Sequence, residues 1–170
     1  MTRFLPTAIA LVVACILQIA LAPYLAIFGV VPKILFIVVV TVALTEGSVA
    51  GCVSGFCAGL LLDLLGSTVV GPYALVLSVV GYVAGMLQAN MFAEGWLLPV
   101  TAVFVASLVT ELSYGIILAL LGVNASFWHS LLTVMLPGTL YNTALALVTY
   151  PWLARLLRGD RDVKSLGRLA

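Results

Sequence analysis

The sequence predicts an all-α integral membrane protein, a compact bundle of six transmembrane helices joined by short loops. Hydrophobic residues make up 64% of the 170-residue chain, charged residues make up only 8%, and the formal net charge is +1. A soluble domain of this size leaves too much surface in water to hide so large an apolar fraction. The same figures argue against nucleic-acid binding, and three cysteines within apolar runs argue against a disulfide-stapled module.

Six apolar segments are separated by turn residues, and each of them predicts one membrane span. They are residues 4–21, 33–45, 48–65, 73–90, 97–121 and 128–157. The second segment would form a helix of about 20 Å, which is short for a hydrocarbon core of roughly 30 Å. We therefore expect it to extend towards Tyr24, to tilt, or to be shielded by its neighbours. The spans make one domain, residues 1–157, followed by a short basic tail, residues 158–170.

The positive residues predict the orientation of the bundle. With six spans both termini share one side, which carries Arg3 and five basic residues of the C-terminal region, whereas Lys33 lies on the other side. Because segments rich in Lys and Arg stay in the cytoplasm, both termini are predicted to be cytoplasmic. The first segment resembles a cleavable signal peptide, but Pro23 follows the would-be cleavage site, so we expect a retained first helix.

The third segment carries a glycine at every fourth position. Gly47, Gly51, Gly55 and Gly59 follow this spacing, and Asp63 continues it. Residues four apart lie on one helix face, so this face is nearly bare backbone and a second helix can approach it closely. The spacing leaves open whether that helix belongs to this chain or to a partner, and packing within the chain is the simpler interpretation.

Lys33, Glu111 and Asn142 are the candidate buried polar residues. An ionisable group inside a membrane is a candidate functional site, and Glu111 lies near the middle of the fifth segment. Its alternative role is structural hydrogen bonding to neighbouring hydroxyls. Lys33 and Asp63 lie about fifteen residues on either side of the Glu46-Gly47 turn. An antiparallel hairpin would bring them level, either as an ion pair or as separate contacts with lipid headgroups.

Asn142 follows Pro137-Gly138 in the sixth segment, where proline removes a backbone donor and predicts a kink. The amide is expected to hydrogen-bond across helices or to carbonyls that the kink frees. Catalytic patterns are lacking from the sequence, because its single histidine, His129, has no acidic neighbour and the glycines have no phosphate-loop context. We therefore expect neither an enzyme nor a metal or cofactor site.

A series of short motifs runs from the second segment to the start of the fourth. It consists of Pro32, Glu46-Gly47, Gly55-Phe56, the run from Gly59 to Leu65 with Asp63 inside it, and Gly71. These motifs resemble those of the rod shape-determining protein MreD family, and Tyr141-Asn142 is a weaker likeness. Where the family pattern has aspartate after the proline, this chain has Lys33, which reverses the charge.

The resemblance implies a non-enzymatic scaffold or regulatory component of the bacterial cell-elongation (rod) complex in the cytoplasmic (inner) membrane. It implies MreC as the direct partner, and MreB, RodA and a class B penicillin-binding protein as indirect partners. The implied role is to support lateral peptidoglycan synthesis and cell shape. Membrane lipid is expected to surround the protein, and no nucleic-acid partner is expected.

The resemblance also carries an alternative function, because MreD-like proteins are similar in fold to the substrate-binding subunits of energy-coupling-factor vitamin transporters. Ala10 and Ala14 form a small-residue face of the kind with which those subunits dock a transport partner. A ligand-sized cavity, lined by polar side chains and open on the side opposite the termini, would favour this alternative.

Overall fold

The structure, a computed structural model, describes residues 5–26, 30–66, 69–90, 97–122 and 131–166, and most of these residues are helical. The α-helices are α1 (Leu5–Ala20), α2 (Ile34–Glu46), α3 (Ser48–Gly66), α4 (Pro72–Asn90), α5 (Leu97–Leu120) and α6 (Leu136–Leu166), and a π-helical turn spans Leu131–Met135. The predicted all-helical class is confirmed. The last helix continues past residue 157, so the basic tail is helical as far as Leu166.

Three of the helices are long and apolar enough to cross a membrane by length and composition. They are Ser48–Gly66, Val100–Leu120 and Leu131–Arg155, and the shorter apolar helices are Thr7–Ala20, Ile34–Glu46 and Pro72–Leu87. Helices of this length and hydropathy indicate a membrane protein. The number of spans and their orientation remain predictions.

The short helix α2 lies at the centre of the bundle and contacts each of the other five helices. Every residue from Leu35 to Thr45 is buried. Its sequence is apolar on all sides, as expected of a helix that is surrounded by protein. The hydroxyls of Thr41 and Thr45 donate to the carbonyls of Ile37 and Thr41, both at 2.8 Å, so their polarity is satisfied within the helix. The expected shielding of this short helix by its neighbours is thus observed.

Helices α3 and α4 pack antiparallel with their backbones in direct contact. A Cβ atom added at Gly51, Gly55 or Gly59 would come within 3.0 Å of the backbone of α4. In return, Gly81 and Gly85 of α4 lie against the backbone of α3. The bare face of the third segment is therefore occupied by a helix of the same chain.

Gly47 has a different role from the other glycines of the series. Its φ of +96° is in the left-handed region, which favours glycine, and nothing lies within 4 Å of an added Cβ. It turns the chain from α2 into α3, a role that the four-residue spacing did not predict. Its backbone also contacts α4, because a Cβ atom added at Gly85 would lie 2.5 Å from the carbonyl carbon of Gly47.

The ends of the helices define two ends of the bundle. Thr7 Oγ1 donates to Glu46 Oε1 at 2.5 Å, which joins the start of α1 to the end of α2. The starts of α2, α4 and α6 consequently lie at the opposite end. There a π-helical turn, Leu131–Met135, precedes α6, so Pro137 lies in the first turn of that helix. The kink at Pro137-Gly138 stays a prediction.

Candidate functional site

The three predicted buried polar residues come together at the end of the bundle opposite the start of α1. Lys33 Nζ donates to Glu111 Oε1 in an ion pair, although 78 residues separate them in sequence. The backbone N–H of Lys33 donates to Asn142 Oδ1 at 2.9 Å, and Asn142 Nδ2 donates to Ser107 Oγ at 3.5 Å. Glu111 and Asn142 are 5% and 2% exposed, so each charge or dipole here needs a protein partner.

The ion pair of Lys33 is with Glu111, which corrects the expected pairing with Asp63. The Asp63 carboxylate instead accepts hydrogen bonds from the backbone N–H groups of Gly71 at 2.9 Å, Tyr73 at 3.2 Å and Ala74 at 3.0 Å. Groups at the start of a helix have no acceptor within it, and a carboxylate also stabilises the positive end of the helix dipole. The hairpin brings both residues to the same end of the bundle, but Asp63 caps the start of α4, whereas Lys33 pairs with Glu111 of α5.

Tyr73 links these two interactions, and sequence analysis did not identify its role. Its backbone N–H bonds Asp63, and its hydroxyl accepts a hydrogen bond from Lys33 Nζ at 2.6 Å. The Lys33 ammonium also lies 4.7 Å from the Tyr73 ring centroid. Tyr73 stacks on Tyr114, with ring centroids 3.8 Å apart and planes at 16°. From sequence alone, Tyr73 is simply an aromatic residue at a span end, where tyrosines are common.

Side chains of neighbouring helices also cap the start of α2. Lys33 makes no side-chain cap of its own, and its N–H is taken by Asn142. Gln18 of α1 accepts from the N–H of Ile34 at 2.7 Å and donates to the carbonyl of Pro32 at 3.0 Å. Because α2 is enclosed by protein, these groups need protein partners rather than water. Sequence analysis did not identify Gln18. The feature that could have revealed it is a polar amide side chain near the end of an otherwise apolar segment.

A cavity of about 300 Å³ lies beside this cluster, which we call the Lys33 cluster: Lys33, Tyr73, Glu111, Tyr114 and Asn142. The remaining lining residues are small or apolar, namely Val30, Val31, Gly115, Leu118, Val134, Met135 and Gly138. Val31 and Val134 are 42% and 50% exposed. The cavity therefore combines a polar, charge-neutral wall with apolar walls.

The predicted site residues thus divide into two places. Gly51, Gly55 and Gly59 lie between α3 and α4, whereas Lys33, Glu111 and Asn142 lie beside the cavity. Asp63 stands between the two groups because it binds the first turn of α4, which also carries Tyr73.

Comparison with known proteins gives one match. The family model described as rod shape-determining protein MreD matches residues 1–159, essentially the whole chain. The family resemblance found in the sequence is thereby confirmed. No curated protein and no solved structure matches the chain.

Proposed function

Because the chain belongs to the MreD family of rod shape-determining proteins, we propose that it is a non-enzymatic scaffold or regulatory component of the bacterial rod complex. Membership implies a role in determining rod shape, and the match over residues 1–159 is the observation that carries the proposal. In the finer proposal the protein binds MreC, and through it acts with MreB, RodA and a class B penicillin-binding protein to support lateral peptidoglycan synthesis.

The proposed arrangement is six spans in the inner membrane with both termini in the cytoplasm. The positive-inside rule supports it, since Arg3 and the basic tail would share the cytoplasmic side. Lys33, the positive residue at the other end, is neutralised by Glu111 and adds little to the opposing signal. A fluorescent reporter fused after Ala170 that matures only in the cytoplasm should be bright, and a dark fusion in stable, correctly sized protein would contradict the orientation.

The packing of α3 on α4 limits where MreC could bind. The face with Gly51, Gly55 and Gly59 is already filled by α4, so a partner must use another surface. In this proposal the glycines serve the scaffold by making α3 and α4 one rigid unit. Rigid elements hold a binding surface in a fixed geometry at low entropic cost.

The test is affinity purification of the tagged, full-length protein from native membranes in mild detergent. We expect MreC to co-purify, and we expect depletion of the protein to make rod cells round. A tag-only strain and an unrelated multispan protein of similar expression serve as controls. Intact cell shape after depletion, together with no enrichment of MreC, would contradict the proposal.

The second candidate is a substrate-binding membrane subunit of an energy-coupling-factor vitamin transporter. The cavity beside the Lys33 cluster favours it, since it is ligand-sized and lies at the end opposite the start of α1. The small-residue face of α1 does not favour this candidate. Ala10 and Ala14 are 7% and 2% exposed, so they are buried in the bundle. Co-purification of an ATPase-containing transport module, with a retained vitamin, would support this candidate over the rod complex.

A further inference from the structure

The cavity beside the Lys33 cluster is large enough for one small molecule. It holds about 300 Å³ and lies at the end of the bundle where α2, α4 and α6 begin. Ligand pockets in proteins start at about this volume, and an apolar cavity about half as large holds benzene. A benzene-sized ring with a polar substituent therefore fits.

The charges on the polar wall cancel each other. Lys33 Nζ donates to Glu111 Oε1, and both residues line the cavity. A ligand with a net charge would lose its hydration on entry, and it would be attracted by one member of the pair and repelled by the other. The cavity consequently favours a ligand without net charge.

The same wall offers both donors and acceptors. Lys33 and Asn142 carry N–H groups, and the Glu111 carboxylate carries acceptor oxygens. An uncharged group that both donates and accepts hydrogen bonds, such as a primary amide or a hydroxyl, matches this set. A purely apolar ligand would make no hydrogen bond with this wall, although the wall groups already have protein partners.

The other walls are apolar or aromatic. Tyr73 and Tyr114, whose rings stack 3.8 Å apart at 16°, both line the cavity, and aromatic side chains pack well against an apolar or aromatic ligand. The lining also includes the apolar side chains of Val30, Val31, Leu118, Val134 and Met135. A ligand that matches both kinds of wall has one polar end and one apolar or aromatic body.

We propose that this cavity binds one small, uncharged amphiphile. Its hydrogen-bonding end meets Lys33, Glu111 and Asn142, and its body lies against the stacked tyrosines and the aliphatic wall. The inference goes beyond the scaffold role and does not rest on it. The same chemistry occurs on a neutral membrane lipid and on a free solute.

The first experiment compares three probes of one shape on the purified full-length protein in mild detergent. The probes are benzamide, which is uncharged, benzoate, which is negative, and benzylammonium, which is positive. We expect benzamide to bind at least about tenfold more tightly than either ion, by ligand-detected NMR titration. Equal affinities, a preference for either ion, or no saturable binding of benzamide would overturn the proposal.

A cavity-filling variant locates the probe. A Cβ added at Gly138 meets Val30 Cγ1 at 3.5 Å and Glu111 Oε1 at 3.9 Å, so it is tolerated, and the further methyl groups of valine would take up cavity volume. Gly138→Val should weaken benzamide binding at least about tenfold. The matched control is Gly66→Val, because nothing lies within 4 Å of an added Cβ there. Unchanged binding by folded Gly138→Val places the probe elsewhere and overturns the proposal.

A charge variant should reverse the selectivity. Glu111→Gln leaves the Lys33 ammonium without its anionic partner, so benzoate should now raise the melting temperature more than benzamide does. A continued preference for benzamide in the folded variant would contradict the charge argument. If this variant does not fold, the three-probe comparison and Gly138→Val decide the question without it.

The source of the natural occupant is identified from organic extracts of protein purified from native membranes. A neutral lipid that is enriched in the wild type and lost from Gly138→Val identifies a lipid occupant. A non-lipid molecule lost in the same way identifies a free solute. If the wild type and the variant retain the same molecules and bind benzamide equally, the cavity has no such occupant.

Discussion

The α3–α4 interface and the Lys33 cluster hold the same bundle together by opposite means. At the interface it is the lack of side chains that matters, because Gly51, Gly55 and Gly59 let the backbones of α3 and α4 touch. In the cluster the important groups are side chains, because Lys33 and Glu111 neutralise each other in the protein interior. The first therefore tolerates no added atom, whereas the second tolerates no unmatched charge.

The two regions also differ in how far apart their residues are in sequence. The glycines repeat every four residues within one helix, so their common face follows from helix geometry. The members of the Lys33 cluster come from a loop and three helices, and Lys33 bonds Asn142 across 109 residues. A regular spacing identifies the first region, and only packing of the whole chain creates the second.

The largest effect is expected from filling the glycine interface. In Gly55→Leu the new Cβ would overlap the carbonyl group of Leu77, a backbone atom that cannot rotate away. We expect the free energy of unfolding to fall by more than about 3 kcal/mol, enough to prevent recovery of monodisperse protein. Size-exclusion chromatography in detergent measures this. Gly66→Leu is the control, and normal recovery of Gly55→Leu would contradict the observed contact.

The next effect concerns unmatched charge in the Lys33 cluster. Glu111→Gln leaves Lys33, whose side chain is 20% exposed, without its anion and should lower the free energy of unfolding by about 3 kcal/mol. Adding Lys33→Met should restore at least about 1 kcal/mol relative to the sum of the single changes. Thermal unfolding of the two single variants and the double variant gives this coupling. Additive effects would show that the two residues do not act as a pair.

A smaller effect is expected from the cap on α4, which lies between the two regions. Asp63→Ala removes the acceptor of three backbone N–H groups and should lower stability by about 2 kcal/mol. Asp63→Asn keeps one acceptor oxygen and should lose less. Melting temperatures of the two variants test this order. If Asp63→Asn were as damaging as Asp63→Ala, the hydrogen bonds would not explain the loss.

The smallest effect should follow from removing one hydroxyl in the cluster. Tyr73→Phe keeps the ring stacked on Tyr114 but removes the acceptor for Lys33, whose ammonium still has Glu111. We expect a loss of about 1 kcal/mol. Thermal unfolding measures it, with Tyr82→Phe, a change at a half-exposed tyrosine of the same helix, as the control. A loss as large as that of Glu111→Gln would mean that Tyr73 is essential to the ion pair.

Sequence analysis identified residues that stand out by residue type or spacing, and it missed residues whose roles lie only in their contacts. Glu111 and Asn142 were found because polar groups are conspicuous in an apolar segment, and Gly55 because of its spacing. The ion pair of Lys33 with Glu111 was not foreseen, because a hairpin places the ends of two helices level without showing which sides they face. Tyr73 and Gln18 were missed because their roles depend on which helix ends the packed bundle brings beside them.

By itself the sequence determined the helical class, the positions of the helices, the family and the bare face of α3. These follow from local properties, namely hydropathy, turn residues and a four-residue repeat. Only the tertiary structure decided that α4 covers this face, that α2 is enclosed by the other five helices and that Lys33 pairs with Glu111. Buried charges and backbone groups take whichever partners the packed helices bring within reach, and that choice is made by the arrangement of the whole bundle.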